Sequence, residues 1–412
     1  MLSADHPQSL SAYVHIPFCR TRCAYCDFNT YAGLEDLIPA YVAALVKEIR
    51  GVGQSSIGLK AAGVDPERAP VRVHSIFFGG GTPSLLTTQQ VAAIIFAVRE
   101  AFRLDQDAEI TLEANPGTVR LEYLEGLRRA GVNRLSLGVQ SARASELRLL
   151  ERRHSFPDVI RAVREAGRAG LTNLNLDLIF GLPHQDLADW QQSLSRALDL
   201  RPDHLSLYAL SLEFGTPMHA WVERGLIPSP DPDLAAEMYA WACEYLDNAG
   251  FFHYEISNWA RKKPTAEEGG LGSACRHNLQ YWRNLPYLGF GAGAHGFAAG
   301  RRYANTRSPR AYIRRMSQGP GFDFPVSPAL AEQTRILPES EMNETMMLGL
   351  RLLDEGVDEA AFASRFGLEV SDAFSIPLKR LQEDGLIRRG DGRVRLARSA
   401  YFIANQVFCM FV

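Results

Sequence analysis

Three cysteines, Cys19, Cys23 and Cys26, form a C-x3-C-x2-C arrangement, while Cys243, Cys275 and Cys409 are scattered. Such spacing lets one loop wrap three thiolates around a metal centre. A [4Fe-4S] cluster normally takes four cysteines. One held by three keeps an iron open to an exogenous ligand, the requirement for binding substrate rather than only relaying electrons. Arg20 and Arg22 put positive charge beside the thiols, which favours the thiolate. Two other readings fit the spacing. One is a zinc site completed by a remote His or by Cys275; the other is unligated cysteines close by chance. Six cysteines in 412 residues are too few for a disulfide framework.

Other chemistry-bearing residues stand where extended runs meet turns. Val73 to Phe78 ends in Gly79-Gly80-Gly81-Thr82-Pro83, where glycines admit close backbone approach to a ligand. A plain tight turn would read the same way. Glu113 precedes Asn115-Pro116-Gly117 and can accept hydrogen bonds from an amine or a ribose. Gln140 and Ser141 follow the next run, and Arg152 and His154 lie in the helical stretch beyond it. Asp177 interrupts the apolar run Leu174 to Phe180. A charge there is costly unless partnered, so it is a satisfied core carboxylate or a ligand-binding group.

The segment Tyr13-x-His15-x-Pro17-Phe18-Cys19-x3-Cys23-x-Tyr25-Cys26 resembles the signature of radical S-adenosylmethionine (SAM) proteins. More narrowly it resembles the branch that holds oxygen-independent coproporphyrinogen III oxidases and heme chaperones. The likeness runs over essentially the whole chain. It implies a [4Fe-4S] cluster on Cys19, Cys23 and Cys26, with SAM chelating the open iron. It implies that Gly80, Gly81 and Thr82 meet the amino end of SAM. Glu113, Gln140, Arg152 and Asp177 match SAM-contacting positions, and Tyr13 and Ala209 match further ones. The implied chemistry is one-electron cleavage of SAM to methionine and a 5′-deoxyadenosyl radical, which the cofactors supply.

Within that branch, the oxidases carry a fourth cysteine one residue beyond the third. Here Cys26 is followed by Asp27-Phe28, and Cys23 to Asn29 resembles the chaperones. The oxidases also have a longer segment ahead of the first strand, where this sequence has about a dozen residues. His277-Asn278-x-x-Tyr281-Trp282 matches the HNxxYW motif that the chaperones associate with heme. Imidazole suits heme iron, Tyr281 and Trp282 suit stacking on a macrocycle, and Arg276 suits a propionate. Cys275 is an alternative axial ligand. A packed aromatic loop around a hydrogen-bonded His is the plainer reading. Gly289 to Gly296 surrounds His295, either a second heme ligand or a mark of close packing near SAM. The resemblance implies a heme chaperone that passes heme to acceptor apo-hemoproteins, with anaerobic decarboxylation of coproporphyrinogen III as the alternative. It leaves a homodimer open.

The elements that must position these groups alternate. Strand-like runs occur at Tyr13 to Pro17, Val73 to Phe78, Glu109 to Glu113, Arg134 to Val139, Leu174 to Phe180 and His204 to Leu210. Helical patterns between them cover Leu37 to Arg50, Thr87 to Phe102, Leu121 to Ala130, Ala144 to Ala169 and Asp186 to Leu198. Gly51 to Pro70 reads as a loop or insertion. Six such units predict a parallel sheet, too short for an eight-fold barrel: an open doubly wound sheet or an incomplete barrel. With the resemblance, the expectation is an incomplete parallel (β/α)6 radical SAM barrel over residues 1–215. A barrel extension with the HNxxYW motif follows over 216–335. It holds a Pro-rich linker at Pro228 to Pro232, a helix at Leu234 to Ala249 and a mobile loop at 264–272. Three short helices (Met342 to Leu353, Asp358 to Phe366, Ser371 to Asp384) and a hairpin at Gly385 to Leu396 predict a winged-helix-like domain over 336–412. That domain is expected to cover or gate the barrel opening, or to contact a partner.

Composition narrows the class. Hydrophobic residues at 46% and charged residues at 22% fit a globular chain rather than a disordered one. The net charge of −3 gives no bulk attraction to nucleic acid, and the basic residues of the wing lie in its hairpin rather than on a recognition helix. No nucleic-acid partner is expected. No apolar run approaches the roughly 18 residues of a membrane span, and the N-terminus lacks a signal pattern, so the expected location is cytoplasmic.

Overall fold

A computed structural model describes residues 9–56, 71–262, 272–319 and 321–412. The second part of the Gly51 to Pro70 stretch and most of the expected 264–272 loop lie outside the described residues. One twelve-stranded sheet carries the fold, beside a three-stranded and a two-stranded one. In chain order the strands are β1 (Leu10–Ile16), β2 (Phe18–Cys19), β3 (Tyr31–Ala32), β4 (Arg72–Gly80), β5 (Arg103–Ala114), β6 (Arg134–Gln140), β7 (Asn173–Phe180) and β8 (His204–Ala209). β1, β4, β5, β6, β7 and β8 run parallel, in that spatial order. These are the six expected units, and their order makes the incomplete barrel.

The alternation of side chains explains the barrel. Ile110, Leu112, Leu135, Leu137, Leu174, Leu176, Leu205 and Leu207 face the surrounding helices and join the main apolar core. Their neighbours Glu109, Thr111, Glu113, Arg134, Ser136, Asn175, Asp177, His204 and Ser206 face the lumen. A period of two thus separates an oily outer wall from a polar interior. Several lumen side chains bond one another, while Thr111 Oγ1 and Arg134 Nε are buried without a partner. Asn175 Nδ2 donates to Asp177 Oδ1 (2.7 Å), and Ser136 Oγ donates to Asp177 Oδ2 (3.0 Å). Ser206 Oγ donates to Asn258 Oδ1 (2.7 Å), and His204 Nε2 pairs with the Tyr254 hydroxyl (2.8 Å).

The middle region widens this same sheet at both edges. Its strands are β9 (Phe251–Glu255), β10 (Asn258–Arg261), β11 (Tyr287–Phe290), β12 (His295–Ala298), β13 (Arg301–Asn305) and β14 (Leu330–Arg335). β10 and β9 extend from β8, while β11 pairs parallel to β1 and leads to β12, β13 and β14. A helix at Pro232–Asn248 covers Trp190, whose indole donates to the Met238 carbonyl.

Three expectations about elements need correction. The first helix does not stop at Arg50; it runs Ile38–Ser56 through two glycines. Gly51 and Gly53 sit where a Cβ would strike the Phe322 ring and Ala101, so close packing outweighs poor helix propensity. The stretch Ala144 to Ala169 is two helices, Ala144–Leu149 and Phe156–Arg168. Between them Glu151 has φ +55°, which breaks the helix and turns Arg152 toward the barrel mouth. Ser371 to Asp384 is likewise split, into Val370–Ala373 and Ser375–Glu383.

The C-terminal region closes on its own apolar cluster, with β15 (Val357–Asp358), β16 (Ile387–Gly390) and β17 (Arg393–Leu396) as its small sheet. It does not cover the barrel mouth. It packs at the opposite end, against the helix Arg276–Trp282 and β9. Arg351 pairs with the fully buried Glu255 (3.3 Å) and lies over the Trp282 ring (4.3 Å). Arg283–Glu355 (2.7 Å) and Arg302–Glu344 (2.6 Å) complete the clamp. Among the described residues no helix is long and apolar enough to cross a membrane.

One buried carboxylate ties the helix Ile38–Ser56 to the β11–β14 edge of the sheet. Glu48 accepts from Asn305 and Ser327 on Oε1, and from the Tyr312 hydroxyl and the Gly291 amide on Oε2. All four acceptor sites are used. Glu48→Gln replaces one oxygen with a donor and strands two partners, so it is expected to cost roughly 2–4 kcal/mol. Urea unfolding at neutral pH checks this; an unchanged midpoint contradicts it.

Candidate functional site

At the C-terminal ends of the parallel strands lies a cavity of about 610 Å³. Cys19, Cys23 and Cys26 line one wall, and Gly80, Gly81, Thr82, Glu113, Gln140, Arg152, Asp177 and Ala209 line the rest. Eleven of the thirteen residues singled out from sequence therefore meet in one place; Tyr13 and His277 do not line it.

Local chemistry explains the cysteine wall. The loop from β2 to β3 is held by backbone bonds, Tyr31 to the Pro17 carbonyl (2.7 Å) and Cys26 to the Cys23 carbonyl (3.2 Å). Asn29 anchors it further, donating to the carbonyls of Ala292 and Arg307 (3.1 Å each). Gly293 sits where a Cβ would collide with that Asn29 side chain, and Gly291 where one would strike Tyr41 and the His15 carbonyl. The Gly289 to Gly296 stretch is thus close packing beneath the cysteine loop. His295 is exposed at its end.

The cysteines have polar neighbours. Thr82 Oγ1 donates to Cys19 Sγ, and Arg152 Nη1 to Cys23 Sγ, each at 3.5 Å. Burial pushes the Cys19 thiol up, and the Thr82 bond and the Arg152 charge oppose that rise. Arg152, from a distant loop, thus adds positive charge beside Cys19, and Arg20 and Arg22 line the same cavity. Gly138 is required for this: a Cβ there would meet Gln140 Nε2 at 2.9 Å and Arg152 Nη2 at 3.2 Å. Gln140 itself holds φ +65°, a strained conformation for a non-glycine residue at the cavity edge.

Opposite the thiols stand two carboxylates. Glu113 accepts from the Gly80 amide (3.2 Å), and burial followed by the Asp177 charge pushes it up to about 8. Burial also raises Asp177, against hydrogen bonds from Ser136 and Asn175. Two carboxyl groups held at such cost suit a cationic ligand. The glycine turn supplies the approach. A Cβ on Gly80 would strike the His15 ring, and one on Gly81 the Phe18 carbonyl at 2.7 Å and Cys19 Sγ at 3.0 Å.

The donor set suits a multi-iron cluster. Three thiols share one wall, and the space beside them takes a ligand of nucleoside size. Cys275 is elsewhere: it is fully buried at the other end of the barrel, its thiol donating to Glu109 Oε1 (3.3 Å). A zinc site completed by Cys275 is therefore not formed. Among the described residues no group of three or more His, Cys, Asp or Glu side chains converges around a single ion.

Tyr13 acts at one remove. Its hydroxyl donates to His15 Nδ1 (3.0 Å), and His15 Nε2 donates to the Asn29 carbonyl (3.0 Å) in the cysteine loop. His277 lies deeper, at the floor of the barrel, on the helix Arg276–Trp282. Glu109 binds the amides of Arg276 and His277 and fixes the start of that helix. His277 is 1% exposed, and both ring nitrogens are engaged, Nδ1 with Ser75 Oγ (3.0 Å) and Nε2 with the Tyr281 hydroxyl (2.9 Å). Burial pushes it down to about 3, so it is neutral.

Sequence reasoning missed Gly138, Tyr208, Ser211 and Glu213, which also line the cavity. The rule that ligands sit at strand ends would have found Gly138 and Tyr208, the lumen-facing residues of β6 and β8.

This incomplete six-stranded barrel with three thiols at its mouth defines a radical SAM protein. The Radical SAM superfamily model matches residues 13–197, and the HemN C-terminal domain model matches residues 336–403. Superfamily membership implies a [4Fe-4S] cluster and SAM. The chain is 34% identical over 403 residues to heme chaperone HemW of Bacillus subtilis, covering 98% of this chain and 99% of that one. It is 38% identical to HemW of Synechocystis over 83% of this chain and 78% of the relative, and 41% identical to HemW of Mycobacterium tuberculosis over 74% of each. The chain belongs to the HemW family. Coproporphyrinogen III oxidase (HemN) from Escherichia coli shares the fold, with a TM-score of 0.78 at 24% identity, over 99% of this chain and 91% of that one.

Proposed function

We propose that this chain is a heme chaperone that holds a three-cysteine [4Fe-4S] cluster and SAM at the barrel mouth, binds heme, and passes it to acceptor apo-hemoproteins. The observation that carries the reading is the end-to-end match to a HemW relative. It is supported by Asp27-Phe28 standing where the oxidases place their fourth cysteine. In this reading Cys19, Cys23 and Cys26 hold the cluster, which when bound supplies an electron and an open iron for SAM. Glu113 and Asp177 receive the cationic parts of SAM, Arg152 steadies the Cys23 sulfur and the Gly138 carbonyl, and Gly80, Gly81 and Thr82 give backbone access. Gln140 and Ala209 close the wall. Tyr13 positions the cysteine loop through His15. The chain would work in the cytoplasm.

His277 is the residue we assign to heme, and a neutral imidazole is the form that binds iron. Reaching iron requires exchange of the Tyr281 or Ser75 bond, so the helix Arg276–Trp282 must shift under its C-terminal clamp. His277→Ala is expected to weaken heme binding at least tenfold while iron and sulfide content stay at the parent level. Superimposable heme titrations for parent and variant remove His277 from the assignment.

The discriminating experiment is anaerobic incubation of the reconstituted chain with SAM, a strong reductant and coproporphyrinogen III, with products resolved by mass. The chaperone reading expects unchanged substrate. Loss of carboxyl groups from the substrate overturns it.

A further inference from the structure

A second cavity, about 600 Å³, lies on the outer side of the Arg152–His154 turn. Four arginines line it, Arg143, Arg148, Arg152 and Arg196, together with His154, and its lining contains no carboxylate. Apolar surface from Leu147, Phe156 and Pro157 completes it.

The charges there are unevenly compensated. Arg143 pairs with Asp189 (2.7 Å) and approaches Glu146 (3.5 Å). Arg196 donates to the Ala142 carbonyl (3.0 Å) and stacks over the Phe156 ring (4.2 Å), with no carboxylate partner among the described residues. Arg152 is spent on Cys23 Sγ and the Gly138 carbonyl, and its Nε is buried with no acceptor. Arg148 forms no ion pair among the described residues and is exposed at the rim.

His154 is the second, independent sign. It is 5% exposed and lines this cavity. Its Nε2 donates to the Val139 carbonyl (3.0 Å), which leaves Nδ1 as a bare acceptor, buried and without a partner. A buried polar atom with no partner costs free energy that a bound ligand recovers.

We propose that this cavity is a binding site for a small dianion, phosphate or dicarboxylate, separate from the cluster cavity and sharing the Arg152–His154 wall with it. Guanidinium groups fit both ligands through paired charge-assisted bonds. A hydrogen phosphate would also offer an O–H to His154 Nδ1.

The test uses the full-length, cluster-reconstituted chain, titrated calorimetrically with inorganic phosphate and, separately, with succinate. Arg148→Glu is the main variant, because Arg148 has no ion pair among the described residues. His154→Phe is the second. The expected result is saturable binding of at least one dianion, weakened about tenfold or more by Arg148→Glu, with SAM binding unchanged. Phosphate binding lost in His154→Phe identifies a phosphate site; succinate binding alone identifies a carboxylate site. No saturation by either dianion up to on the order of 10 mM, or equal binding by Arg148→Glu and parent, overturns the proposal. Loss of SAM and dianion together in Arg148→Glu also overturns it, since it places the anion in the cluster cavity.

Discussion

Replacing Cys23 with serine should abolish the cluster. The reconstituted parent is expected to carry close to four irons per chain and the brown charge-transfer absorbance of an iron–sulfur protein, and the variant neither. The reason is geometric as well as chemical. Cys23 lies midway along the cysteine loop, and its sulfur is the one that Arg152 contacts directly. A serine hydroxyl is a poor iron ligand, and two remaining thiolates cannot hold the cluster. The fold should persist, because the loop is tied by Asn29, Tyr31 and the Gly291–Gly293 packing rather than by the metal. Iron and sulfide analysis with circular dichroism on the same sample checks both statements. Parent-level iron in the variant contradicts the assignment.

The second large effect concerns Glu113. Its carboxyl is held near 8 in the ligand-free protein, by burial first and then by Asp177, against an ordinary value of 4.5. It is thus protonated near neutral pH. A cationic ligand reverses this, so SAM binding should release a proton there. Calorimetric enthalpies in buffers of different ionisation enthalpy should differ for the parent and coincide for Glu113→Gln. SAM affinity should fall by about tenfold to a hundredfold in the variant, the worth of one charge-assisted hydrogen bond. The sign for stability follows from the same shift. The unfolded chain ionises this group from about 4.5, the folded chain only near 8. Its contribution is complete below pH 4.5 and is lost as pH rises through 8. The melting temperature of Glu113→Gln should therefore gain on that of the parent across this window and then level off. A gap that is flat with pH contradicts the buried-carboxyl account.

Much of the site was legible because it is local. Cys19, Cys23 and Cys26 lie on one loop, and strand ends announce themselves by glycine, asparagine and proline. The six parallel strands followed from alternation: every second residue from Glu109 to Glu113 and from Arg134 to Gly138 belongs to the lumen. What escaped depends on distance in sequence. The guanidinium that bonds the Cys23 sulfur is Arg152, brought across by a break at Glu151 that no Gly or Pro marks. Gly51 and Gly53 suggested a loop, since their packing partners, Phe322 and Ala101, lie far along the chain. The placement of His277 could not be read either. Its motif sits at the barrel floor only because β11 pairs with β1, and because the C-terminal region clamps Trp282 and Arg283 from below. That region was expected over the mouth or against a partner, and its arginines show why it is not over the mouth: Arg351 pairs with the buried Glu255.

The most direct test of the central claim is a heme titration of the anaerobic, cluster-intact chain, read by the Soret difference spectrum and followed by gel filtration. The account predicts saturation at one heme per chain, with heme and cluster co-eluting. A spectrum that rises without saturation, with heme separating from the protein on the column, would contradict it.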